Sequence, residues 1–294
     1  MGAGCGSSPS ASSPTVVTVS SISVTATVST TSGPSGGDKG YVEVEPGRRI
    51  YFPCQGTGQT TTILIAGLGN SSFVWSPVQG LLAKRDDLRV CLFERASLGP
   101  SDQAGGNVDA ADAVADLLAA LHGLELSDPV VLVGASYGGL VAQLMARTHP
   151  DRVSGVVLVD STHADLDARI DAILPPAISA ERRTELGSGP EPVTFDDLLA
   201  SDRAVIAAPP FPHVPLVVIR HGIPFESSHA DYPTDAVEAL WRELQDDLAV
   251  MSPCSSERLA ATSGHRIHQD QPDLVAQAIT DVAASVQSDT CTLT

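Results

Sequence analysis

The stretch that decides the fold is residues 129–148, PVVLVGASYGGLVAQLMART. Its first half, Pro129–Gly134, is continuous and β-branched, as expected of a strand buried on both faces of a sheet. Its second half, Tyr137–Thr148, has the composition of a helix. The two meet at Gly134-Ala135-Ser136-Tyr137-Gly138, a GxSxG. A strand-to-helix turn this tight crowds the backbone of its central residue. Small neighbours at 134 and 138 relieve the crowding and leave the serine Oγ exposed at the carboxyl edge of the sheet. The context carries the weight, because Gly33-Pro34-Ser35-Gly36-Gly37 fits the same pattern with no strand before it and no helix after it.

Outward from this turn, strands and helices alternate. Tyr41–Glu45 and Arg49–Cys54 read as a hairpin around Pro46-Gly47. Thr61–Ala66 and Leu88–Phe93 are short apolar runs. Asp109–His122 has helical spacing, with Ala110, Val114, Leu117, Leu118 and Leu121 on one face and Asp109 as its cap. Val153–Val159 is the next buried strand. Residues 161–213 break the rhythm with several prolines and a Gly-Ser-Gly-Pro turn, and read as a small helical insertion. Pro215–Ile219 resumes the strands, Asp235–Met251 is a helix, Glu257–Ala261 a short strand and Pro272–Val286 the final helix. Alternation of this kind means a mostly parallel sheet wrapped by helices on both faces.

A serine hydroxyl is a weak nucleophile and needs a base. Ser263-Gly264-His265 follows the last expected strand, and Pro272 opens the last helix seven residues after His265. Together, Ser136 in its turn and this Gly-His with its downstream proline make the chain resemble an α/β-hydrolase of the esterase, lipase and proline-iminopeptidase branch. The resemblance covers about residues 41–287. It implies an eight-stranded, mostly parallel sheet, with residues 161–213 as a lid and 288–294 as a C-terminal tail. It also implies Ser136 as nucleophile and His265 as base, with His268 the less well spaced alternative.

Two further segments match that family. Ile65-Ala66-Gly67-Leu68-Gly69 resembles its His-Gly-x-Gly turn, with Ala66 in place of the usual His. The backbone N–H groups of Leu68 and Tyr137 would then form the oxyanion hole, a role that tolerates many side chains. Glu94–Asp102 resembles a structural turn after the fourth strand. The triad acid is left open. No Asp stands at the family's usual offset after Pro215–Ile219, where the chain reads Arg220-His221-Gly222-Ile223-Pro224-Phe225-Glu226. Asp160, flush with the end of Val153–Val159, is the first candidate; Glu226, Asp165 and Asp231 are the alternatives.

In function, the resemblance implies a serine hydrolase cleaving a small carboxylic ester through an acyl-enzyme, with no metal or organic cofactor. Ile170, Ile173, Leu174, Ile178, Leu198 and Leu199 would give the lid an apolar lining. An N-terminal aminopeptidase is the alternative, with Asp165, Asp167, Asp171 and Glu181 as an acidic pocket for the amine. A perhydrolase would use the same triad, and a ligand-binding or surface-interaction protein would retain the fold without an activated serine. A dehalogenase or epoxide hydrolase would carry Asp at position 136.

Composition narrows the field further. The net charge of −18 and the absence of Lys/Arg clusters argue against nucleic acid. No apolar run is long enough to span a bilayer. Residues 1–40 hold 27 Ser, Thr, Gly or Pro and no charge before Asp38, which reads as a disordered tether; within it, Thr15–Val28 has some β character. Ala3-Gly4-Cys5-Gly6-Ser7-Ser8 resembles the cleavage end of a bacterial lipoprotein signal, with Cys5 the lipid acceptor and the preceding signal trimmed. That reading implies export to a bacterial cell envelope, membrane-anchored through Cys5, or secretion. It leaves the oligomeric state open. There is no CxxC or Cys/His cluster, and with Cys5 set aside four cysteines permit two disulfides. In the fold the family implies, the second and fourth strands are neighbours, which brings Cys54 near Cys91. Cys254 before the last strand and Cys291 after the last helix would lie at one end of the domain.

Overall fold

The continuous apolar strands sort their side chains alternately to two faces. In β4 (Thr60–Ile65), Ile63 and Ile65 join one core and Leu64 the other. The same split divides Val130 and Leu132 from Val131 and Val133 in β6 (Val130–Ala135). It recurs in β7 (Val153–Val159) and β8 (Leu216–His221). Two cores on one sheet require helices on both sides. One face is covered by α2 (Ala110–Gly123) and α3 (Tyr137–Thr148), the other by α1 (Ser76–Leu82) and α9 (Pro272–Ser288).

The structure, a computed structural model, describes residues 1–2, 40–185, 189–227 and 229–293. Cys5, the Thr15–Val28 run and the Gly33–Gly37 motif lie outside them. The central sheet has the order β3-β5-β4-β6-β7-β8-β9, where β3 is Cys54–Gln55, β5 Leu88–Phe93 and β9 Ser255–Ala260. Every neighbouring pair is parallel except β3 with β5.

This sheet has seven strands, against the eight expected, and the difference lies at its first edge. Arg49–Cys54 does not run as one strand. Pro53 has no N–H to give a ladder and splits the segment into β2 (Arg48–Tyr51) and the two-residue β3. β2 forms a ladder with β1 (Tyr41–Glu45) in a hairpin turning at Pro46-Gly47, and its Tyr51 carbonyl accepts from Glu94 N–H just beyond β5. β3 takes the antiparallel edge beside β5 with Cys54 opposite Cys91, and a disulfide joins the two. Cys254, just before β9, is bonded to Cys291. The end of the chain is thereby tied down: Thr292 N–H donates to Ser285 Oγ of α9.

The other elements fall close to where the spacing places them. Asp109 caps α2 by accepting from Ala111 N–H and Asp112 N–H, and the Asp112 carboxylate in return accepts the N–H of Asp109. The insertion between β7 and β8 carries α4 (Leu166–Asp171), α5 (Pro176–Glu185) and α6 (Phe195–Ala207). Beyond β8, α7 (Thr234–Ala249) packs Val237, Leu240, Trp241 and Leu244 against Leu166, Ile170 and Leu174 of the insertion. A one-turn helix, α8 (Ile267–Asp270), precedes α9. Among the described residues, no helix is long and apolar enough to cross a membrane.

Candidate active site

β6 and α3 meet at Ser136, whose φ of 50° and ψ of −124° are outside the regions an L-residue prefers. A non-glycine residue is held there only when its surroundings over-determine it. Those surroundings are close. A Cβ at Gly134 would overlap the backbone of Gly138 and Gly139, and one at Gly138 would overlap the carbonyls of Ile65 and Ala66. Both glycines of the motif are therefore demanded by the packing of β6, α3 and the turn after β4. One strand over, Asp160 directly follows β7 with a φ of 44°, a second strained residue at the same sheet edge.

Asp160 is fully buried and its carboxylate is crowded with donors. Its Oδ2 lies 2.6 Å from His265 Nδ1, and its Oδ1 accepts from Trp241 Nε1 at 3.0 Å and from the N–H of His221 at 3.1 Å. His221 Nδ1 stands within 3.0 and 2.8 Å of the two oxygens. Burial alone would raise this carboxyl's pKa, but the hydrogen bonds from His221 and then His265 outweigh it and hold Asp160 below the usual range. Glu226 and Asp231 are exposed, and Asp165 is exposed beside His163. His268 is packed against the Trp75 ring, and burial, with His265 nearby, drives its pKa down to about 4. Of His265 and His268, His265 is the one joined to Asp160.

Ser136, His265, Leu68 and Tyr137 line one cavity of about 200 Å³ with Thr162, Leu166, Leu198, Phe225 and Trp241. Of the apolar lid residues expected to line it, Leu198 does so. Ile170, Ile173, Leu174 and Ile178 instead pack the lid against α7. Most of the lid's acidic residues have basic partners. Asp167 lines the cavity but pairs with Arg182, Asp171 pairs with Arg182 and Arg183, and Glu181 with His229. Of Asp165, Asp167, Asp171 and Glu181, Asp167 is the one that lines the cavity, where Arg182 holds its carboxylate.

Several contributors to the site carry no local sequence signal. Arg95 is buried in the turn after β5 and donates to the carbonyls of Ala66 and Gly67 at 2.6 and 2.9 Å. It is clamped in two bonds by Glu191 of the insertion, at 2.6 and 2.8 Å. Glu191 in turn accepts the N–H of Gly69 at 2.8 Å. The turn holding Leu68 is thus fixed on both sides by one buried ion pair. Trp241 and Glu238 come from α7, where spacings of three and four put residues 238, 241 and 245 on one face. His221 stands in the segment after Pro215–Ile219 where the family's Asp is missing, and the spacing alone gives it no role. A histidine at the carboxyl end of a parallel strand is the signal that singles it out.

A buried carboxylate bonded to a histidine, a serine on a strained strand-to-helix turn and a parallel sheet wrapped on both faces define the α/β-hydrolase architecture. The chain belongs to the Alpha/beta hydrolase family, whose model matches residues 62–278. It is 27% identical over 229 residues to the uncharacterised protein YqjL of Bacillus subtilis, covering 78% of this chain and 85% of that one. It is 47% identical over 73 residues to the pimeloyl-[acyl-carrier protein] methyl ester esterase of Chromobacterium violaceum, a match to 21% of this chain and 27% of that enzyme. Among solved structures it is similar to a thermophilic esterase from Thermogutta terrifontis, with 22% identity, a TM-score of 0.56, and coverage of 81% and 94% of the two chains.

Proposed function

We propose that the protein is a serine hydrolase of small carboxylic esters, with Ser136 as nucleophile, His265 as base and Asp160 as acid. The observation that carries this reading is the 2.6 Å bond from His265 Nδ1 to buried Asp160, beside a cavity shared by His265 and Ser136. With its Nδ1 hydrogen held by Asp160, His265 presents Nε2 as the proton acceptor. Ser136 Oγ attacks the acyl carbonyl as His265 takes its proton. The oxyanion is held by the N–H groups of Leu68 and Tyr137, and His265 returns the proton to the leaving alcohol. Water then repeats the steps to free the acid. A cavity of about 200 Å³ suits a short acyl or alcohol group better than a long chain. The named esterase relative supports the ester class but matches only a short segment.

The proposal includes a location outside the cytosol, supported by two disulfides of a kind that persists in oxidising compartments. Anchoring through a lipid on Cys5 is part of the proposal. The test is a panel of p-nitrophenyl esters of increasing chain length beside an aminoacyl-naphthylamide. Turnover of acetate and butyrate esters, abolished in Ser136→Ala, is expected. Release of naphthylamine without ester turnover would replace the esterase with a peptidase.

A further inference from the structure

On the side of Asp160 away from the cavity stands a second histidine. His221 is buried at the end of β8, and both of its ring nitrogens face carboxylates: Nδ1 meets Asp160 at 2.8 Å and Nε2 meets Glu238 Oε2 at 3.1 Å. The other oxygen of Glu238 accepts the N–H of Phe225 at 2.6 Å. Each ring nitrogen therefore has a carboxylate oxygen to which it can donate, an arrangement that favours the doubly protonated ring of His221. Burial works against that charge. The bond and attraction of Asp160, then of Glu238, outweigh it and raise the His221 pKa above the ordinary 6.5.

We propose that His221, backed by Glu238, is a positioning residue for the triad acid, fixing the Asp160 carboxylate so that Oδ2 points at His265. This rests on the serine-hydrolase reading. Asp160, His221 and Glu238 together carry one net negative charge, the same as a lone acid. His265 keeps its anionic partner, while the buried carboxylate gains a fixed cation that a lone acid would lack. The arrangement runs in one line, His265–Asp160–His221–Glu238, across 105 residues of chain.

The role has a pH signature. His221 holds its proton below its raised pKa and loses it as the pH climbs, after which one of the two carboxylates loses its bond from the His221 ring. Other groups around it are the Trp241 and Phe225 rings, Arg220 paired with Glu257, and Asp235 and Arg242 across a cavity of about 440 Å³ that opens onto His221 and Glu238.

The experiment measures kcat and KM for p-nitrophenyl acetate, and the rate of Ser136 labelling by a fluorophosphonate, from pH 6 to 10. His221→Phe keeps the ring volume and removes both donors; kcat should fall about 10–100-fold with KM little changed. His221→Asn places an amide N–H where Nδ1 was. It should recover most of that loss at pH 7 and lack the alkaline fall belonging to the imidazolium. Glu238→Gln should move that fall to lower pH by about one unit, because the proton on His221 loses one of its anions. A His221→Phe enzyme with wild-type kcat, equal losses in Phe and Asn variants, or an alkaline limb unmoved in Glu238→Gln overturns the proposal. If His221→Phe does not fold, the Asn and Gln profiles decide. Failure of the wild type to label at all would instead sink the serine-hydrolase reading.

Discussion

Replacing Asp160 by Asn tests the acid at its most exposed assumption. The carboxylate accepts from His265, Trp241 and twice from His221, at distances from 2.6 to 3.1 Å. An amide has one accepting oxygen and brings two donors. If the oxygen stays with Trp241 and the His221 N–H, the NH₂ group faces the Nδ1 atoms of His265 and His221. His265 then shifts its hydrogen to Nε2 and cannot take the Ser136 proton. The wrong tautomer costs about 10⁴-fold in kcat, equivalent to about 5.4 kcal/mol of barrier. Glu226 is exposed and makes no contact with this network, so Glu226→Gln should stay within about twofold of wild type. Initial rates on p-nitrophenyl acetate, normalised by circular dichroism for folded protein, decide between them. An active Asp160→Asn with a dead Glu226→Gln would return the acid to the loop after β8.

The remaining predictions concern the frame of the site and its response to pH. Glu191→Gln should cut kcat by roughly tenfold or more, with a smaller effect on KM, because it leaves Arg95 with an uncompensated buried charge beside the turn that holds Leu68; a wild-type kcat would show that the clamp plays no part in the oxyanion hole. His268 is held neutral by burial, with a pKa of about 4 against 6.5 in an unfolded chain. Between those values the unfolded chain takes up a proton that the native one refuses, so stability falls with pH by at most about 3 kcal/mol. His268→Phe should flatten the drop in melting temperature from pH 7 to 4.5, and an unchanged drop would put the acid sensitivity elsewhere. Thiol titration of unfolded, unreduced protein should find at most one free cysteine, Cys5 when it carries no lipid, whereas four or five free thiols would mean that neither disulfide forms.

The features legible in the sequence are the local ones. The Ser136 turn, the Asp109 cap and the parallel strands each carry their cause within a few residues. Asp160 could be named because it ends a strand adjacent to Ser136, and both reach the same edge. The split at Pro53 was also local, but apolar periodicity hid a missing N–H. The Arg95–Glu191 clamp spans 96 residues, and the Trp241 bond to Asp160 spans 81. Such pairs leave no periodic trace, since a buried ion pair is fixed only when two distant loops meet. The lid misled for a related reason. Ile170 and Leu174 are apolar because α7 covers them, and their spacing does not distinguish a partner helix from a substrate.

The central claim is that Ser136 is an activated nucleophile, and covalent labelling with a fluorophosphonate followed by peptide mass spectrometry tests it most directly. The expected result is one adduct on the peptide bearing Ser136, absent in Ser136→Ala and slowed by orders of magnitude in His265→Gln. No adduct on folded wild-type protein, or an adduct elsewhere that persists in Ser136→Ala, would contradict it.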